Sequence, residues 1–270
     1  MTVAVVGHVE WIQFARVERV PEPGEIVTAY ETWEEVGGGG SVAAVQLAKL
    51  NGASTFYTLL GDDELGRRAL AELTEHGVQV EVEFVPRPTR RGFTFVDETG
   101  ERTITVIGEK LHPSTSHHLP WLELGRADGV YFTAGDVSAL DAARRARVVV
   151  ATSRELGTLR RAGVELDALV GSGEDLGEQY HPGDLDPPPK LVVSTAGPLG
   201  GWTQPGGPFR AAPLPGLISD AYGAGDSFAA GLTYALAKGL ERDEALDLAS
   251  RAGAAAMTGR GPYEGQLTSV

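Results

Sequence analysis

The chain has 270 residues, 42% of them hydrophobic, with 36 glycines and no cysteine. That length fits one large α/β domain or two small ones, and the composition suits a compact fold with many tight turns. A formal charge of −14 argues against a broad nucleic-acid footprint, and the lack of cysteine removes disulfides, thiolate metal sites and cysteine nucleophiles.

Val3–Val6 is a continuous apolar run ending at Gly7, the pattern of a central buried strand. It carries no basic leader, and no later run is long enough to span a bilayer, so a cytoplasmic protein without a membrane partner is expected. Strand-like alternation follows over Val9–Val20 and Ile26–Trp33, around a Pro21-Glu-Pro-Gly24 turn. Gly37-Gly-Gly-Gly40 then opens a helix through Val45, Leu47 and Leu50 to Gly52, with Ser41 as the expected cap. Four glycines at that place bring backbone close to a ligand, with Gly38 and Gly39 as candidates. Ser54–Leu60 is a strand, and Asp63 is the expected cap of a helix through Leu70 and Leu73 that stops at Gly77.

Three further strands are expected at Val80–Val85, Gly92–Asp97 and Arg102–Ile107. Arg87, Arg90 and Arg91 cluster there and are read as a solvated group. His112, His117 and His118 match no metal spacing and are read as a surface loop. From Gly129 onward, short apolar strands (Val130–Phe132, Val148–Ala151, Ala168–Val170, Leu191–Val193) alternate with helices. Such crossovers favour parallel pairing and a doubly wound sheet that binds ligands at the carboxyl ends of its strands. Gly171-Ser-Gly-Glu-Asp-Leu-Gly177 partly matches a dinucleotide fingerprint, but the next strand ends in Ser194-Thr195 where that fold needs an acid. Trp202, after a Thr195–Gly200 turn, is read as a packing residue.

The most informative stretch is Leu217-Ile-Ser-Asp-Ala-Tyr-Gly-Ala-Gly-Asp226, which feeds an apolar helix ending at Gly239. The N–H groups of Gly223, Ala224 and Gly225 form an anion hole at a helix N-terminus. Asp226 beside it is either a helix cap or a base that takes a proton from the group attacking a phosphate. A second helix, Arg242–Met257, contains Ala252-Gly-Ala-Ala-Ala256, which permits tight packing.

Asp220-x-x-Gly-Ala-Gly-Asp226 resembles the C-terminal signature of the ribokinase-like (PfkB) carbohydrate kinase family. The glycine-rich Gly37–Gly52 helix start, the Gly61-Asp-Asp-x-x-Gly66 step and Thr195-x-Gly197-x-x-Gly200 resemble that family too. The resemblance implies a single α/β domain over 1–270, a mainly parallel doubly wound sheet, and a small β lid built from about 9–34 and 80–107. It implies a kinase moving the γ-phosphate of ATP, with Mg2+, to a hydroxyl of a sugar or sugar-like molecule. Asp226 is then the base, Thr195, Gly197 and Gly200 line the nucleotide, and Asp220 supports the loop or a monovalent cation. Glu174 is the preferred magnesium-positioning acid, with Asp175 in reserve, and a homodimer through the lid is implied. Three departures fall at the acceptor end and the acid motif. Ala43 stands where the family has a sugar-contacting Asn. Ile12 stands near its early Asp, leaving Glu10 and Gln13 as the nearby polar candidates. The Asn of Asn-x-x-Glu is missing. The acceptor is therefore open between a sugar, a sugar phosphate and a nucleoside, and a catalytically weak ligand-binding protein is a further reading.

Overall fold

The structure is a computed structural model, and it describes residues 1–268. Thirteen strands make two sheets. The larger holds β1 (Val3–Val6), β4 (Ser54–Gly61), β5 (Val78–Val85), β8 (Gly129–Phe132), β9 (Val148–Thr152), β10 (Ala168–Ser172), β11 (Val192–Thr195), β12 (Gly201–Gln204) and β13 (Gly207–Phe209). Their order is 13-12-11-10-9-8-1-4-5, parallel except for the β11–β12–β13 meander. β1 pairs in parallel with β4 on one side and β8 on the other. The winding therefore reverses at β1, which is the switch point where a doubly wound sheet opens a crevice.

Alternate residues of the sheet feed two cores. Val3, Val5, Val148 and Val150 pack on the face covered by α1 (Gly39–Asn51), α2 (Glu64–Glu75), α5 (Ala224–Ala237) and α6 (Arg242–Ala256). Ala4, Val6, Val149 and Ala151 pack on the other, under α3 (Val137–Ala143) and α4 (Leu156–Ala162). This is the expected doubly wound α/β class. The small residues in α6 let α5 approach closely, for a Cβ on Gly231 would lie 3.0 Å from Ala249 Cα.

The smaller sheet is the lid, in the order β3 (Glu31–Gly37), β2 (Glu10–Arg16), β6 (Arg91–Val96), β7 (Arg102–Ile107). Two of its expected boundaries move. Val78–Val85 is not a lid strand but the edge of the large sheet, parallel to β4. A strand that follows a crossover helix, α2, returns parallel to its predecessor. The second hairpin arm starts at Glu31, and Ile26 stands 98% exposed in the connecting loop. Asp63 caps α2 by accepting from Gly66 N at 2.8 Å. Ser41, by contrast, is no cap: α1 begins inside the glycine run with Gly38 at φ 86°, a backbone that glycine adopts without strain. Among the described residues, no helix is long and apolar enough to cross a membrane.

Candidate active site

Two helix N-termini meet at the switch point. α1 rests on the carboxyl ends of β1 and β8, so tightly that a Cβ on Gly7 would lie 3.0 Å from Gly40 Cα and 2.3 Å from Thr133 Oγ1. α5 begins at Gly223, whose φ of 78° turns the chain and whose own side packs on Val42 of α1. Gly225 has open space where a side chain would stand, so nothing crowds the backbone there. Both helices direct their positive ends into the same cleft, which is an anion site.

Asp226 lies between them. The cap of α5 is Gly223, and Asp226 is the third residue inside the helix, so the capping reading fails and leaves the carboxylate available to the cleft. A Cβ on Gly39 would lie 2.6 Å from Asp226 Oδ1, which means the two N-termini touch through this carboxylate. One edge of the side chain opens to the cleft while protein surrounds the rest. Burial raises its pKa to about 7, aided by the negative charges of Glu178 and Glu10 and opposed by Arg102 and Arg154. A carboxylate poised near neutrality can take up a proton and give it back.

The loop before α5 is braced from behind. Asp220 is buried and accepts from Tyr222 N at 2.8 Å and Gly261 N at 3.1 Å. Burial nevertheless moves its pKa upward. The Tyr222 hydroxyl accepts from Gly38 N at 3.0 Å, tying the loop of one helix to the cap of the other. The Tyr222 ring meets Phe14 of the lid edge-on at 5.2 Å, and Gly100 O accepts from Ala221 N at 2.9 Å. The lid is thus fastened directly to the anion-hole loop.

At the lid side of the cleft, β2 puts Glu10 and Ile12 on one face and Gln13 on the other. Glu10 is buried, with Oε1 3.2 Å from Arg90 Nε and 3.6 Å from His8 Nε2. Burial alone would raise its pKa, but His8, Arg90 and Lys110 hold it below the usual range, while burial lowers that of His8. An ionised Glu10 opposite Arg90, with a neutral His8, is the resulting state. Gln13 is exposed on the outer face of the lid, two-residue periodicity having turned it away. Ile12 fills the space beside two glycines, since a Cβ on Gly37 or Gly92 would meet it at 2.7 or 2.5 Å. Ala43 is buried in α1. The polar groups here are therefore His8, Glu10 and Arg90. Arg90 is no solvated arginine: its side chain is 13% exposed. Neither it nor His8 carries a local sequence signal.

The nine-stranded sheet with its lid, and a glycine turn feeding Asp226, coincide with a family-model match. The model of pfkB family carbohydrate kinases matches residues 1–155 and 146–268. The chain belongs to the pfkB family of carbohydrate kinases. Its fold is that of ribokinase from Thermotoga maritima, with a TM-score of 0.80 at 22% identity over 98% of this chain and 96% of that one. Ribokinase from Cryptococcus neoformans, solved in complex with ADP, gives 0.78 at 20% identity over 99% and 97%. Among curated proteins, a ribokinase of Dictyostelium discoideum is 30% identical over 39% of this chain and 34% of its own length. The bifunctional protein HldE of Rhodopseudomonas palustris is 26% identical over 96% of this chain. The chain spans about a third of the first of these relatives and 60% of the second.

The remaining expected site residues lie at the end of β10 and β11. Thr195 closes β11, and Gly197 and Gly200 bracket a tight turn in which Ala196 N donates to Gly200 O at 2.8 Å. A Cβ on Gly200 would lie 2.1 Å from Phe209 O, so only glycine fits there. Trp202 is 58% exposed rather than packed, because β12 turns it outward, and Leu199 is 79% exposed. Glu174 is exposed, its N–H donating to Ser172 Oγ at 3.2 Å. Asp175 accepts from Arg154 at 2.7 Å. Of the acids in this segment, Glu178 is one whose charge acts on Asp226, beside that of Glu10. It is fixed by Ser172 N at 2.8 Å and paired with Arg154. A short helical turn after Asp175 carries Glu178 back over β10, a return that the spacing of a four-residue motif does not reveal.

Proposed function

We propose that this chain transfers the γ-phosphate of ATP to a hydroxyl of a sugar-like acceptor, with Asp226 as general base. The observation that carries the reading is the contact of Asp226 with Gly39 where α1 and α5 converge, with its pKa raised to about 7 by burial. In its ionised form the carboxylate accepts the proton of the attacking hydroxyl. Charge that develops on the phosphoryl oxygens is met by the N–H groups of Gly223, Ala224 and Gly225, fixed before the reaction begins. Thr195, Gly197 and Gly200 hold the nucleotide, and Gly38, Gly39, Glu10, His8 and Arg90 hold the acceptor. Arg102 from the lid and Arg154 from the body offset the negative charge around Asp226.

Among the described residues no group of three or more His, Asp or Glu side chains gathers into a metal site. Magnesium carried by nucleotide phosphates and water needs only one or two carboxylates. Glu178 and Asp175, gathered on Arg154, fit that need, with Glu174 further out. The ion would neutralise phosphate charge. Asp220 braces the loop and is the residue through which a monovalent cation would act. The outer lid strand β7 exposes Ile104, Val106 and Ile107 at 41, 48 and 45%, an apolar edge that supports pairing with a second copy of the chain.

The test is ADP formation by wild type and Asp226→Asn over a panel of sugars, sugar phosphates and nucleosides. Loss of turnover in the variant with ATP binding retained is expected. Equal turnover by the two proteins would remove Asp226 from the reaction, and ligand-induced stabilisation with no turnover at all would leave a binding protein.

A further inference from the structure

A cavity of about 490 Å³ lies between the carboxyl ends of β4 and β5 and the loop that leaves the lid after β7. Leu59 and Leu111 give it an apolar floor, and every titratable side chain on its wall is a base: Arg87, Lys110, His112 and His117. In a chain of net charge −14, a concave wall with four bases and no acid marks a place for an anion. Two acids stand behind it. Glu155, with a side chain only 7% exposed, takes Lys110 Nζ at 2.9 Å and so anchors the ammonium. Glu109 lies 3.7 Å from Arg87 but is 85% exposed, a pair that water screens and a ligand can displace. At His117 the Ser114 N–H points at Nδ1 from 3.1 Å. Ser114 Oγ meets the same nitrogen at 3.0 Å, which holds the ring in place on the wall.

Lys110, on the cavity wall, stands near enough to Glu10 and His8 for its charge to act on both. The chain after β7 also passes Arg90 closely, with a Cβ on Gly108 3.9 Å from Arg90 Cα. The cavity thus stands beside the His8, Glu10 and Arg90 group. We propose that the acceptor carries an anionic group, a phosphate or a carboxylate, that seats among Arg87, Lys110, His112 and His117 while its hydroxyl faces Asp226. This rests on the kinase reading above.

Rates of ADP formation with neutral sugars, their terminal phosphates and the matching sugar acids test it, in wild type, Arg87→Gln and His112→Asn. The expected result is a kcat/KM at least roughly tenfold higher for one anionic class than for the neutral sugars, with that preference cut several-fold in either variant. The phosphate and acid arms identify the group. Neutral sugars used as well as anionic ones, or a preference untouched by both variants, would overturn the proposal. If no compound is turned over, the kinase reading fails separately and calorimetry with the same compounds decides the cavity. Binding of an anionic sugar weakened by Arg87→Gln supports it, and equal binding of neutral and anionic sugars overturns it.

Discussion

The two ends of the cleft are built from different materials. At the proposed catalytic end, recognition would come from main chain: two helix N-termini, Gly38-Gly39 and Gly223-Ala224-Gly225, with a single carboxylate between them. At the acceptor end it comes from side chains, His8 and Glu10 after β1 and Arg90 before β6, brought together only because β2 and β6 pair in parallel. Backbone donors are fixed by the fold, and at Gly39 an added atom would meet the Asp226 carboxylate. Side-chain donors can be exchanged one for another. The catalytic end should therefore fail abruptly under mutation, and the acceptor end should fail by degrees.

The largest effect is expected for Asp226→Asn, a fall in kcat of roughly 10²–10⁴, the range for loss of a general base. ATP affinity, measured by calorimetry, should hardly change. Next comes Gly39→Ala, which removes no functional group. Its Cβ would stand 2.6 Å from Asp226 Oδ1, so the carboxylate must move and kcat should fall about 10- to 100-fold. Wild-type kcat in Gly39→Ala would contradict the contact between the two N-termini.

Smaller changes are expected at the acceptor end. Glu10→Gln leaves Arg90 without its anion, and the acceptor KM should rise about tenfold while the ATP KM stays put. An ATP KM that rose equally would blur the division between the two ends.

The pH dependence joins them. As the base, Asp226 must be ionised, so the acidic limb of kcat/KM should fall as pH drops below about 7. Removing the charge of Glu178 in Glu178→Gln should shift that limb to lower pH, because a negative neighbour is lost and Arg154 is freed to act on Asp226. An unmoved limb would exclude Glu178 from the site's electrostatics. Stability carries the opposite sign. A carboxyl raised from 3.8 to about 7 in the fold favours the folded state below its unfolded value, and that support is lost as pH rises through the folded value. Asp226→Asn mimics the neutral form. Its gain in melting temperature over wild type should be small near pH 4 and greatest above pH 7.

The amino-acid order by itself determined the parts written in local grammar. Glycines at positive φ, the Asp63 cap, the apolar strands of the parallel sheet and the Asp220–Asp226 turn all depend on neighbours within a few residues. Their physics is short-range, so the fold class and the place of Asp226 are legible in the order of residues alone. Tertiary structure alone decided what depends on distant partners. It assigned Val78–Val85 to the large sheet, turned Gln13 outward and Glu10 inward, and placed Arg90 in the cleft instead of in solvent. It also brought the charge of Glu178 to bear on Asp226. A carboxylate's role is set by burial and by the charges that face it. Here those charges come from β2, β7, the turn after β9 and the turn after β10, segments that only the folded sheet brings around one helix end.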